Sequence, residues 1–410
     1  MGELKMRRYG GAVMPMKNDN ITWLVGDKVP EYRVFEPYSD IVYSFLSDLS
    51  QTLLKDKSAT QYPDIASFAY FCRKANILKK KQTFADAKIR LGRGIIFHIS
   101  PSNVPINFAF SCVFGLLAGN GNIVRVPSKT FPQTDIICNA VKALFTDEKY
   151  DDIRASTAFV KYGHEDEITA YFSSIAQGRI IWGGDRAIAY IRKFALPPRT
   201  VDIAFSDRYS FAVIDSDAVM DADAEEVERL ANAFYNDAYL MDQNACSSPQ
   251  LIVWRGDAFK GAQKKFWNAV TDTASKKYVL QPVSAVDKYT RLCSEAIENS
   301  YVSAVSRYGN ILYVADLNEL PDTVDNFRGT CGYFYQYHCD DLAEIAHIVN
   351  EKYQTLVYYG LSPSELSEFV TKNQLKGIDR IVPIGQALDI DVIWDGYDLI
   401  GTLSRIIDVR

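Results

Sequence analysis

Apolar positions in the first hundred residues recur at helical spacing. Over 37–57, Ile41, Val42, Phe45, Leu46, Leu49, Leu53 and Leu54 line one face and predict an amphipathic helix. A second helix is predicted over 64–78, with Lys79, Lys80 and Lys81 at its C-terminal end, where cations complement the helix dipole. The stretch 1–32 keeps no single period and reads as short strands or loops. From Gly94 the pattern changes to short, continuous apolar runs separated by helical periods. Strands are predicted over 94–100, 123–126, 158–162, 179–182 and 201–205, and helices over 106–118, 133–145, 165–176 and 185–194. Continuous apolar strands alternating with helices predict a parallel sheet covered on both faces. A second α/β series follows: strand 211–214, helix 224–241, strand 251–254 and helix 258–274, then mixed segments and a final alternating run over 399–409.

Open parallel sheets bind ligands beyond the carboxyl ends of their strands, which directs attention to the turns 100–105, 127–130 and 183–185. No G-x-G-x-x-G follows any of these strands, so a dinucleotide would have to be held in another way.

At 410 residues the chain exceeds what one hydrophobic core usually serves, and two domains are expected. The net charge of −6 argues against a nucleic-acid partner. Seven scattered cysteines, an odd number, do not form a disulfide framework and imply a reducing, cytoplasmic setting. Lys5, Arg7 and Arg8 are not followed by the apolar run of a signal peptide, and the longest apolar stretch, 104–118, is too short to span a membrane. The four histidines show no metal-ligand spacing with the cysteines, so no metal is expected. His98 lies inside a predicted buried strand and reads as a satisfied core histidine.

Cys246 stands apart from the other cysteines. It lies among small and polar residues, Asn244-Ala245-Cys246-Ser247-Ser248-Pro249, in a turn that runs directly into the apolar strand 251–254. A thiol on a loop at the mouth of a strand suits nucleophilic chemistry, and a packed, unreactive cysteine fits the local sequence equally well. The remaining cysteines, at 72, 112, 138, 293, 331 and 339, lack this setting and read as structural.

Three blocks carry a resemblance: FHISPSNVPINFAFSCVFGLLAGNGNIVRVPS over 97–128, DQNACSSPQ over 242–250, and RIVPIGQALDIDVIWDGYDLI over 380–400. In this order the chain resembles the aldehyde dehydrogenase superfamily and, within it, the LuxC-like acyl-CoA reductases, from about residue 92 onward. The resemblance implies an α/β, aldehyde-dehydrogenase-like fold. A Rossmann-type cofactor domain would cover 1–207, with a C-terminal return over about 380–410. An α/β catalytic domain would cover 208–379, and a small oligomerisation element is implied, with 399–409 as a candidate interface strand of a homo-oligomer.

The same resemblance assigns roles. Cys246 matches the nucleophile that accepts an acyl group as a thioester, and Asn103 matches the oxyanion-stabilising asparagine, beside the Cys246 backbone amide. Ser100, Pro101, Arg125, Pro127, Ser128, Lys129, Gly183 and Gly184 fall where the superfamily contacts its dinucleotide, with the two glycines opening a helix. Many NAD enzymes have lysine where Val126 stands and glutamate where Lys129 stands. Losing a carboxylate and gaining a lysine favours a ribose 2′-phosphate, hence NADPH, with NADH as the alternative. The glutamate that activates water in hydrolytic members has no clear counterpart, although Asp207 keeps that role open. The superfamily's Glu-x-Phe-Gly-Pro motif is also missing, and Thr330-Cys331-Gly332-Tyr333 occupies its place.

The implied function is NADPH-dependent reduction of an acyl-CoA, or another acyl thioester, to an aldehyde, with an acyl-protein synthetase as partner. The alternatives are a hydrolytic aldehyde dehydrogenase, an acyl-phosphate reductase, or a non-catalytic acyl-binding or scaffold subunit.

Overall fold

The structure, a computed structural model, describes residues 20–84 and 88–410. The expectations for the first 19 residues, including the missing signal peptide, lie outside the described residues. Two units are formed: Met1–Ser206 with Tyr397–Arg410, and Asp207–Gly396.

In the first unit, the periodicity over 37–57 gives α1 (Asp40–Lys55), which buries Val42, Phe45, Leu46, Leu49 and Leu53. The helix expected over 64–78 is two helices, α2 (Pro63–Phe71) and α3 (Lys74–Phe84). The break arises because the Asn76 side chain donates to the Phe71 carbonyl at 2.7 Å and so caps α2. The lysines at 79–81 therefore lie within α3 and not beyond a helix end.

The unit's sheet contains β1 (Thr22–Val25), β3 (Ile95–Ile99), β4 (Gly121–Arg125), β5 (Thr157–Lys161), β6 (Gly178–Trp182) and β7 (Val201–Phe205), while β2 (Ile89–Gly92) lies apart from it. The order is β1-β5-β4-β3-β6-β7, with β1 antiparallel and the rest parallel. Every residue of β3 is buried, as its unbroken apolar run predicts. The connecting helices are α4 (Asn107–Leu117), α5 (Pro132–Leu144), α6 (Asp151–Ala155), α7 (Asp166–Ile175) and α8 (Asp185–Ile191). Gly119 ends α4 with φ +83°, and a Cβ there would lie 2.1 Å from the Phe35 carbonyl oxygen, so only glycine fits.

The run 399–409 is not one strand. Leu399–Leu403 is helical and buries Leu399, Ile400 and Leu403, while Ser404–Ile407 pairs antiparallel with β2.

The second unit has a seven-stranded sheet made of β8 (Tyr209–Asp215), β9 (Leu251–Arg255), β10 (Val302–Tyr308), β11 (Leu312–Leu317), β12 (Tyr333–Cys339), β13 (Tyr353–Tyr359) and β14 (Arg380–Pro383). The order is β10-β11-β12-β9-β8-β13-β14, and only the edge strand β10 is antiparallel to its neighbour. Alternate residues serve two cores. Tyr209, Phe211, Val213, Leu251 and Val253 pack on one face, and Ala212, Ile214, Ile252 and Trp254 on the other. The helices are α9 (Ser216–Asp221), α10 (Ala224–Ala238), α11 (Phe259–Lys277), α12 (Pro282–Glu298) and α13 (Pro363–Lys372).

Two expectations are corrected in this unit. Residues 380–396, expected with the cofactor domain, belong here, because β14 pairs in parallel with β13. The mixed stretch after 274 contains α12, whose Val283, Val286 and Ile297 are exposed and so give no core-facing stripe.

Candidate active site

Cys246 lies on the loop between α10 and β9, at the amino end of the sheet's central strand. Two buried glutamines flank it and tie the loop down. Gln243 has φ 62°; its Oε1 accepts from the backbone N–H groups of Gly332 (3.2 Å) and Tyr333 (3.1 Å), and its Nε2 donates to the Tyr333 carbonyl at 2.8 Å. Gln250 accepts from Gly329 N–H at 2.8 Å and donates to the Gln243 carbonyl at 3.0 Å. The segment 330–333 is thus the buttress of the cysteine loop, and Cys331 and Gly332 adopt positive φ (55° and 84°) to turn there.

Strand ends complete the mount. The Ser210 hydroxyl, at the start of β8, donates to the Cys246 carbonyl at 2.7 Å and accepts from Thr355 N–H at 3.2 Å. Ser248 Oγ donates to the Asp237 carbonyl at 2.6 Å. The Asp237 carboxylate accepts from Gly385 N–H (2.6 Å) and Ala387 N–H (2.9 Å), and its burial pushes its pKa up to about 7. Asn244 and Cys246 are exposed, while Ser247, Ser248, Pro249 and Gln250 are buried. Cys246 is therefore held on a rigid support.

Solvent reaches Cys246, yet protein crowds its thiol. Burial and then the nearby Asp395 carboxylate push the thiol up to about 11, against the opposing pull of Gln354, of its own backbone N–H and of Arg208. The other cysteines are buried, with the exception of Cys293 on α12, which is exposed and does not fit the structural role expected of it. Asp207 is paired with Arg328, Nη1 to Oδ1 2.8 Å.

In the first unit, the turns expected to meet a cofactor follow β3, β4 and β6, three strands adjacent in the sheet. Asn103 and Ser102 are exposed in the turn after β3. The Ser100 hydroxyl and the Asn107 amide oxygen are buried and make no hydrogen bond among the described residues. Ser128 and Lys129 are exposed after β4, with Pro127 buried behind them. Arg125 turns inward: Nη2 donates to the Gly163 carbonyl at 2.5 Å, and the guanidinium lies 4.3 Å from the Tyr162 ring centroid. Gly184 caps α8, and a Cβ on it would meet nothing within 4 Å, which leaves the backbone open to a ligand. His98 is the satisfied core histidine expected of it, between Ser111 Oγ (2.8 Å) and Asn122 Oδ1 (2.9 Å). Burial holds it down at about 4.

Sequence reasoning singled out Cys246 and these turns, and passed over Ser210, Gln243 and Gln250, which hold the Cys246 loop, and the buried pair Gln354 and Asp395. Gln243, Gln250 and Asp395 lie inside the quoted blocks; Gln250 and Asp395 each stand as a polar residue beside an apolar run, which was the available signal, while Gln243 sits between Asp242 and Asn244 and gave none.

Residues 74–305 match the protein family described as acyl-CoA reductase (LuxC). The chain is 25% identical over 323 residues to the long-chain acyl-protein thioester reductase of Vibrio harveyi, covering 77% of this chain and 63% of that protein. It is 25% identical over 233 residues to the long-chain acyl-protein thioester reductase of Aliivibrio fischeri, covering 56% and 45%. The chain thus spans less than two thirds of the length of either relative. In three dimensions it is similar to the salicylaldehyde dehydrogenase of Pseudomonas putida G7, with a TM-score of 0.63, 12% identity, and coverage of 91% of this chain and 85% of that one. The α/β, aldehyde-dehydrogenase-like fold expected from the sequence is the fold observed. No helix among the described residues is long and apolar enough to cross a membrane.

Proposed function

Because the chain belongs to the acyl-CoA reductase (LuxC) family, which matches more than half of its length, we propose that it reduces a fatty acyl thioester to the aldehyde through an acyl group held on Cys246. The observation that carries this reading is the mounting of Cys246: a solvent-exposed residue on a loop pinned from Ser210, Gln243, Gln250 and Asp237, at the head of the central strand. The Cys246 sulfur attacks the acyl carbonyl. A new S–C bond forms, the donor's C–S bond breaks, and the thiol proton leaves with the departing thiol. The donor is an acyl-CoA or an acylated protein, and both present the same thioester carbon.

Asn103 is the proposed donor to the carbonyl oxygen as it gains charge, alongside the Cys246 backbone amide. Asp207, the carboxylate open to a water-activating role, is engaged by Arg328. That supports an acyl enzyme kept for reduction over one lost to hydrolysis.

The residues after β3, β4 and β6 fit a nicotinamide dinucleotide: the unpartnered Ser100 hydroxyl and the open Gly184 backbone suit hydroxyl and phosphate oxygens. Ser100, Pro101, Pro127, Ser128, Lys129, Gly183 and Gly184 would hold it. Arg125 keeps its guanidinium on the Gly163 carbonyl. Exposed Lys129 supplies a cation suited to a 2′-phosphate, so NADPH is the proposed form. When bound, this cofactor supplies hydride.

The test is intact-mass analysis after mixing with an acyl-CoA and, separately, an acylated carrier protein. Wild type is expected to gain one acyl mass, mapped to Cys246 and lost with aldehyde release on adding NADPH. Aldehyde formation that persists in Cys246→Ala overturns the reading.

A further inference from the structure

The helix α12 sits in its unit the wrong way round. Val283, Val286 and Ile297 face solvent, and the residue it buries is a lysine, Lys288, 2% exposed. The ammonium lies among four main-chain carbonyls: Nζ is 2.8 Å from the Asn310 oxygen, 3.1 Å from that of Ile311, 2.8 Å from that of Cys331 and 3.4 Å from that of Gly332. No carboxylate pairs with it among the described residues. An ammonium has three N–H donors and no acceptor, so a ring of carbonyl oxygens satisfies it. The oxygens need it in turn, because carbonyl dipoles aimed at one point repel unless a cation stands between them. The backbone is drawn tight there: a Cβ on Gly332 would lie 2.5 Å from the Ile311 oxygen.

Two of these carbonyls belong to peptide groups that also buttress the cysteine loop. The Cys331 carbonyl and the Gly332 N–H form one peptide group, and the Gly332 carbonyl and the Tyr333 N–H form the next. Both are trans, so the oxygen and the N–H of each group point in opposite directions. Lys288 holds the two oxygens, and Gln243 Oε1 accepts from the two N–H groups. A cation on the carbonyl polarises the amide and makes its N–H a stronger donor, so the two grips reinforce each other. The Gln243 amide carries the link onward. Its Nε2 donates to the Pro249 carbonyl at 3.3 Å and closes the loop 243–249 around Cys246. Further along α12 the same polar seam continues: Glu295 accepts from the Tyr333 hydroxyl at 2.8 Å, and Arg291 Nη2 donates to the Tyr335 hydroxyl at 3.2 Å. The helix thus grips 331–335 with its polar face, which accounts for the outward turn of its apolar residues.

We propose that Lys288 is a positioning residue for Cys246: its ammonium fixes two successive peptide groups by their oxygens and, through Gln243, sets the loop that carries the cysteine. The consequence for catalysis rests on Cys246 as the acyl acceptor; the mechanical link does not.

Hydrogen–deuterium exchange of the full chain, read by mass spectrometry on peptides covering 329–335, 242–250 and α13, tests the link. Burial pulls the Lys288 pKa down to about 8, so the ammonium prevails at about pH 7, the working condition. Lys288→Met keeps the side chain's length and removes the charge and all of its donors. Exchange at Gly332 and Tyr333 should become about tenfold faster, and exchange over 242–250 at least about threefold faster, with α13 unchanged. Lys288→Ala leaves room for propylammonium, which replaces the missing carbons and the ammonium. Added propylammonium should return both stretches to within about twofold of wild type, whereas tetramethylammonium, a cation without an N–H, should not. Should Lys288→Met fail to fold by circular dichroism, Lys288→Ala prepared in propylammonium and then diluted out of it carries the same comparison. Faster exchange over 242–250 that propylammonium reverses supports the proposal. Exchange there that stays at the wild-type rate, rises together with α13, or is not reversed by the amine overturns it. Acylation of Cys246 from an acyl-CoA should fall and recover in step. Exchange needs no acyl donor, so aldehyde formation surviving Cys246→Ala would refute the acyl-acceptor role while leaving the exchange result intact.

Discussion

The Gln243 tie makes a quantitative prediction. Gln243→Met keeps the side chain's length and apolar contacts and removes both amide functions, so little cavity cost is added. Two backbone N–H groups, of Gly332 and Tyr333, lose the oxygen they share, and the Tyr333 carbonyl loses its 2.8 Å donor. Each buried N–H left without a partner costs about 1–3 kcal/mol, which puts the loss at about 3 kcal/mol or more. For a unit of this size that corresponds to a fall of about 6–12 °C in its melting temperature, at about 2–4 °C per kcal/mol. Scanning calorimetry of the full chain measures it, with Gln243→Glu, which keeps the acceptor, expected between wild type and Gln243→Met. Acylation of Cys246 should fall in parallel, since the loop loses its link to 329–333. A melting temperature within 2 °C of wild type, with acylation unchanged, would show that the cysteine loop does not depend on this glutamine.

Two further outcomes follow from the first unit. Burial depresses His98 to about 4, below an ordinary value of about 6.5. Stability contributed by the neutral imidazole is therefore complete above about 6.5 and lost as pH falls toward 4, at up to about 1.4 kcal/mol per pH unit. Urea midpoints of wild type and His98→Asn should converge over that window, and parallel curves would count against it. Exposed Lys129 is expected to favour NADPH. Lys129→Glu should lower kcat/KM for NADPH and raise it for NADH, changing their ratio by at least about tenfold; an unchanged ratio places the 2′-position elsewhere.

What the sequence disclosed depended on how local the determining interactions were. The strands and helices of 94–205 were readable because each buries its own apolar run, and the ending of α4 because Gly119 marks it. The break between α2 and α3 was hidden in one side-chain cap from Asn76. The α12 helix was not legible because its valines face outward. At the candidate site, Cys246 showed in its local setting, but its neighbours come from strands far along the chain. Ser210 and Gln354 are brought to its end of the sheet only through the register of β8, β9 and β13, Asp395 joins them through its bond to Gln354, and spacing in one sequence does not reveal register. The C-terminal run misled because alternation of apolar residues there reflects a short helix and a short strand in succession.

The end of the sheet on which the cysteine is mounted has a practical consequence. Ser210, Cys246, Tyr333 and Gln354 all lie at the amino ends of parallel strands, so the opposite rim, after Asp215, Arg255, Cys339 and Tyr359, bears none of the cysteine mount. That rim is the place to graft a tag, a fluorescent reporter or a tethering domain without disturbing the thiol. It is also where lineages could lengthen loops freely, acquiring new attachments while the cysteine's mount stays fixed.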